Sequence, residues 1–151
     1  MVSFFQGTIQ KVVALAVFMP IVAGMGGNAG TQSLTVITRG IALGELNFSN
    51  AKRVLFKELI GGITNGIVLG TLMGLLAFLF KGNPMLGLVL GMAMICNMFM
   101  AALAGTAIPL ILKWAKVDPA LASGVIVTTF TDVTGFFSFL GLATLFIRFL
   151  V

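Results

Sequence analysis

The stretch VDPALASGVIVTTFTDVTGFFSFLGLATLF (residues 117–146) decides the fold. Between Asp118 and Arg148 it carries a single charged side chain, Asp132, set among apolar, small and hydroxyl-bearing residues. A helix beginning at Pro119 rises about 1.5 Å per residue, so Asp132 lies roughly 20 Å along it, against a hydrocarbon layer about 30 Å thick. A carboxylate at that depth costs on the order of 2.5–3.5 kcal/mol by insertion scales. Something else in the protein must offset that cost.

Composition agrees with a membrane setting for the whole chain. Of 151 residues, 59% are hydrophobic and 9% are charged, and the mean hydropathy is +1.15. A soluble domain of this size carries about 25% charged residues, so water-soluble classes are excluded. The length allows one domain over residues 1–151. The net charge of +5 does not indicate nucleic acid, because Lys and Arg gather at span ends, where membrane proteins keep them. Cys96 is the lone cysteine, so no intrachain disulfide forms; set mid-span in CNMFM, it reads as a small buried residue. The first apolar stretch is too long for a signal-peptide core.

The expected fold is all-α, a polytopic membrane helix bundle with four spanning helices at about 8–38, 53–80, 85–113 and 119–148. Barrel-type alternation is absent, which leaves helices as the spanning structure. Ser49 or Asn50 is placed to cap the second helix. Lys81, Gly82, Asn83 and Pro84 make a tight turn, and Pro119 suits the first position of the fourth helix. The basic segments 39–57 and 113–118 hold six Lys or Arg, against Lys81 and Arg148 on the other side. They are expected to face the cytoplasm, with both termini outside. An N-terminus outside follows an odd number of preceding spans, so at least one upstream helix is expected to be missing from this chain.

Residues four apart share a helix face. On the first span this aligns Pro20, Gly24, Asn28 and Gln32, with Thr31 at the border; on the last it aligns Gly124, Thr128 and Asp132, with Gly135 a turn further on. Both rows mix small residues with oxygen-bearing side chains, and the antiparallel spans bring them to compatible depths. Small-residue rows also serve simply as packing surfaces between membrane helices. Asn97 reads as an interhelical hydrogen bond, Met92, Met94, Met98 and Met100 as packing, and Glu58 as a snorkelling interface charge. With no His and a distant Cys, sites for zinc, copper or nickel are not available. Carboxylate, amide, hydroxyl and backbone oxygens suit a hard cation: magnesium, manganese or calcium. One carboxylate per chain is little for a divalent ion, and a two-fold axis would double it. No nucleophile stands beside a base, so an enzyme is not indicated.

The stretches MPIVAGMGGNAGTQS (residues 19–33), KRVLFKE (52–58) and DPALASGVIVTTFTDVTGFF (118–137) closely resemble the transmembrane domain of MgtE-type magnesium channels, in order and in spacing. The resemblance implies a homodimer with a cation pore on its two-fold axis, in a bacterial-type inner membrane. It implies magnesium flux through a pore lined mainly by the first and fourth spans, with Asp132 holding the ion largely through its waters; the two rows read above then supply the expected lining, Gly24, Asn28, Thr31, Gln32, Gly124, Thr128 and Gly135, and the flux is expected to be passive. It implies as well a fifth membrane helix and cytosolic regulatory regions with paired CBS domains, all lying outside this chain. Membrane lipid is then the remaining partner, and nucleic acid none. Two alternatives stay open: proton- or sodium-coupled transport with Asp132 as relay, and a truncated fragment that does not conduct.

The orientation is testable by labelling single cysteines placed in a Cys96→Ser background. A membrane-impermeant maleimide should modify Lys116→Cys only from the cytoplasmic side and Lys81→Cys only from the opposite side; the reverse pattern would invert the topology.

Overall fold

Why the chain forms long helices follows from where it lives: in hydrocarbon every backbone N–H and C=O must be satisfied within the segment. The computed structural model describes residues 1–47 and 49–151, the side chains of residues 120–123 excepted. A 3-10 turn (Val2–Phe5) and α1 (Gln6–Lys11) lead into α2 (Ala14–Ala42), α3 (Ala51–Lys81), α4 (Pro84–Trp114) and α5 (Pro119–Leu145), and α6 (Ile147–Leu150) closes the chain. The four long helices are each apolar and long enough to cross a membrane, α5 over Gly124–Leu145. No strand occurs among the described residues, so the helical bundle expected from the sequence is the fold.

The boundaries shift in three places. The first helix does not run unbroken from about residue 8. Val12 leaves helical geometry (φ −129°, ψ 76°), and α1 turns aside so that Thr8 Oγ1 meets Thr144 Oγ1 of α5 at 2.8 Å. The last helix stops at Leu145 and restarts at Ile147, short of the expected Arg148. The basic segment 39–57 is mostly helical, because Arg39 lies in the last turn of α2 and Lys52, Arg53 and Lys57 belong to α3. Lys and Arg are good helix formers, and nothing in the segment stops them before Leu43 or after Asn50.

Local chemistry sets the turns. Gly82 adopts φ +70° and donates its N–H to the Phe78 carbonyl at 2.7 Å, a left-handed close that glycine makes without strain. Asn83 then caps α4, its Oδ1 accepting from the N–H groups of Met85 (2.9 Å) and Leu86 (3.3 Å). Asn50 holds the N-cap position of α3 but makes no side-chain cap bond. Its Oδ1 accepts from the Asn47 N–H instead (2.9 Å), and its Nδ2 donates to the Glu45 carbonyl (2.8 Å). Pro119 opens α5, as its fixed φ favours.

Helix α4 is the most buried of the four, and the other three pack around it. α2 presents Phe18, Val22, Gly26, Gly30, Leu34 and Ile37 as one buried row; α3 presents Gly66, Gly70, Gly74 and Ala77. On α5 the buried row is Val127, Thr131, Gly135, Phe139 and Ala143. Along the α3–α4 seam the backbones nearly touch: a Cβ added at Gly70 would lie 2.7 Å from the Gly91 carbonyl oxygen, and one at Gly74 would lie 2.6 Å from that of Gly87. Met94 and Met98 fill the core. Met92, at 41% exposure, does not. Cys96 is exposed rather than buried; facing lipid costs a thiol nothing that facing protein would spare it, so hydropathy could not place it.

The seam can be probed by adding one methyl group at a time. Gly74→Ala should lower the stability of the purified protein by about 1–3 kcal/mol through overpacking against backbone. Gly61→Ala, whose Cβ meets nothing within 4 Å, should be neutral or slightly stabilising. Denaturation in mixed detergent micelles would compare the two.

Candidate functional site

Asp132 is the central residue of α5 as bounded by Pro119 and Leu145. It is half-buried on the flank of the bundle, and among the described residues no hydrogen bond or ion pair reaches its carboxylate. In the same row, one turn apart, lie Thr128 and Gly124, also half-buried. This row is offset by one position from the buried row Val127–Thr131–Gly135, which explains why it stands at the edge of the packing rather than within it. Gly135 belongs to the buried row: it lies against the Asn97 side chain of α4, where an added Cβ would come 2.8 Å from Nδ2. In a single chain it therefore does not share a surface with Asp132.

On α2 the predicted row is likewise turned away from the core. Gly24, Asn28 and Gln32 are exposed, two positions out of step with the buried Gly26–Gly30–Leu34 row, and Thr31 is half-buried between them. α2 meets α5 through a different set. A Cβ at Gly27 would reach Thr128 Cγ2 at 3.9 Å, and one at Gly30 would strike Val127 Cγ1 at 2.7 Å. Asn28 and Gln32 instead line a groove that opens toward Asn65 of α3. So the structure brings Thr128 beside α2, keeps Thr31 on the same border, and sends Asn28 and Gln32 the other way within the chain.

The hydroxyl groups have a common arrangement. Thr31 donates to the Gly27 carbonyl (3.0 Å), Thr35 to Thr31 (2.8 Å), Thr128 to Gly124 (3.1 Å) and Thr134 to Phe130 (2.8 Å). Each proton is directed into its own helix, a local bond typical of Ser and Thr. What remains on the outward side of each oxygen is lone-pair density, which a cation accepts and an anion does not. Together with the unpartnered carboxylate of Asp132, these rows make an acceptor-rich surface.

Behind it lies the joint that fixes the two helices. Asn97, fully buried on α4, donates Nδ2–H to the Val22 carbonyl of α2 at 2.6 Å. Its side chain also fills the space left by Gly26 of α2 and Gly135 of α5. The sequence identified the interhelical bond; it did not reveal that two glycines from different helices converge on the same amide. Also missed was a pairing of Ser33 Oγ–H with Glu58 Oε2 at 3.0 Å across the α2–α3 gap. Nothing in the spacing of residues 33 and 58 announces it, although Asn65 shares Glu58's helix face by its separation of seven.

An assembly of membrane-length helices with one central acid and rows of acceptor oxygens is an integral membrane protein. Its kinship is specific. The model of the MgtE family, described as divalent cation transporter, matches residues 19–142. The chain is 40% identical over 147 residues to the magnesium transporter MgtE of Bacillus subtilis, covering 97% of this chain and 33% of that protein. It is 36% identical over 151 residues to its counterpart in Enterococcus faecalis (100% and 33%), and 36% identical over 144 residues to that of Thermus thermophilus (95% and 32%). This chain belongs to the MgtE family of divalent cation transporters. It spans about a third of the length of these relatives.

The Asn97 joint is open to test. Asn97→Ala removes the bond to Val22 and empties the space between Gly26 and Gly135. It should cost about 0.6–2 kcal/mol of stability, the range for interhelical polar contacts in membranes. A melting temperature equal to that of the unaltered protein would remove the amide from its assigned role.

Proposed function

We propose that this chain is the ion-conducting, membrane-spanning part of a divalent cation channel, with magnesium as the preferred ion and passive flux down its electrochemical gradient. The observation that carries this reading is Asp132: a carboxylate at the centre of a membrane helix, half-buried and without a partner among the described residues. A carboxylate so placed is compensated when a cation sits against it. The names of the relatives, magnesium transporters at 36–40% identity over nearly the whole chain, favour magnesium over manganese and calcium.

In this reading two copies meet across a two-fold axis, so that two Asp132 side chains flank one ion. Magnesium gives up its waters reluctantly, which suits a wide site where carboxylates act on the hydrated ion. Thr128 and Gly124 on α5, with Asn28 and Gln32 on α2, then line the way to the cytoplasm, each offering oxygen or open space. Asn28 and Gln32 are exposed in one protomer, which leaves them free for the partner. The membrane is a bacterial inner membrane with the basic ends of α2, α3 and α4 in the cytoplasm.

Flux into proteoliposomes tests this directly. Asp132→Asn preserves volume and removes charge, and should abolish magnesium entry while leaving the protein folded; undiminished flux would eliminate the site. Asp132→Cys should crosslink across the dimer, and failure to do so would separate the two acids. Dependence of the flux on an imposed proton or sodium gradient would replace the channel with a coupled transporter.

A further inference from the structure

The groove between α2 and α3 contains an acid, Glu58, and two polar neighbours, Ser33 and Asn65, that the proposed pore does not use. Near the basic ends of the two helices it is lined by Gln32 and Ser33 of α2 and by Glu58 and Asn65 of α3, with Met98 and Ala102 of α4 beneath, enclosing about 260 Å³. It continues into a second cleft of about 170 Å³ through shared Ala29, Gln32, Asn65 and Met98, where Asn28 joins the lining. Gly61 forms part of the wall and leaves it open, since a Cβ there would meet nothing within 4 Å. α2 and α3 otherwise barely touch.

Glu58 is half-buried in this groove. Its one partner among the described residues is the Ser33 hydroxyl, which donates to Oε2 and leaves Oε1 without a partner. Lys52, Arg53 and Lys57, all exposed, are close in sequence yet make no ion pair with it. The other polar groups lining the groove are neutral amides and a hydroxyl, so Glu58 is the one charged residue in its wall among the described residues. Carbonyl oxygens of Gln32, Asn65 and Asn28 stand along the same channel, and no softer ligand is near except the Met98 thioether.

We propose that this groove holds a second divalent cation site, one per chain, with Glu58 as the charged ligand and Ser33, Gln32 and Asn65 as neutral oxygen ligands. The volume of the larger cleft admits about eight waters, so the ion keeps much of its hydration shell, as magnesium prefers. The bound ion bridges α2 and α3, which are otherwise linked, among the described residues, by the Ser33–Glu58 hydrogen bond. The site does not include Asp132, and its charged ligand, Glu58, has no part in the proposed pore; Gln32 is the one residue assigned to both.

Manganese is the probe, titrated against the full chain in lipid nanodiscs, with free Mn2+ followed by electron paramagnetic resonance. In an Asp132→Asn background one Mn2+ per chain should still bind and be displaced by excess Mg2+. Adding Glu58→Gln keeps an acceptor for Ser33 but removes the charge, and should weaken that binding about tenfold or more. Asn65→Leu should weaken it by a smaller factor, and Glu58→Asp should retain it in part. Metal-free melting curves of these variants establish that they fold. Loss of all Mn2+ binding on Asp132→Asn alone would overturn the proposal, as would a folded Glu58→Gln variant that binds as the Asp132→Asn background does.

Discussion

In hydrocarbon, apolar side chains gain nothing by leaving lipid for protein, so helices hold together through close van der Waals approach and polar bonds. This constraint shapes every contact made by α4. Gly70 and Gly74 of α3 lie on the backbone of Gly91 and Gly87; Gly30 of α2 lies on Gly105; Gly26 and Gly135 receive the side chain of Asn97. Each seam works because a side chain is missing where another backbone or amide must fit. Remove that proximity and a set of individually stable apolar helices remains, with no reason to adopt one arrangement.

Asn97 is where packing and polarity combine. Its amide donates to α2 and fills the notch of α5, so the two helices with acceptor-rich rows are registered against a common point on a third. Their buried faces are thereby fixed, and their remaining faces are fixed with them. The row of Asp132 is left at the edge of the bundle because Val127, Thr131 and Gly135, one position away, are committed to the interior. The acceptor-rich surface is thus the complement of the packing surface.

Helix α3 follows a different logic. It joins the bundle through α4 and shows Ile60, Ile63, Ile67, Val68, Leu72, Leu75 and Leu79 outward as a lipid face. Because it does not close against α2, a polar groove persists between two membrane-length helices, with Glu58 and Ser33 linking its two sides. An acid at a helix end reads as a surface charge until the neighbouring helix is in place. Only then does it become a half-buried one.

Length, hydropathy and a few punctuating residues determined the four spans, the turn at Gly82 and Asn83, the start at Pro119 and the central position of Asp132, because these are local properties of a chain that must satisfy its own backbone in lipid. The family resemblance was legible for the same reason: its motifs are contiguous. Tertiary structure alone decided rotation about each helix axis. It placed Gly135 against Asn97, turned Asn28 and Gln32 toward α3, exposed Cys96 and paired Ser33 with Glu58. An apolar residue is equally at home facing lipid or protein, so composition carries no inside and outside for a membrane helix; which face turns inward is settled when the glycines of one helix find the backbone of the next.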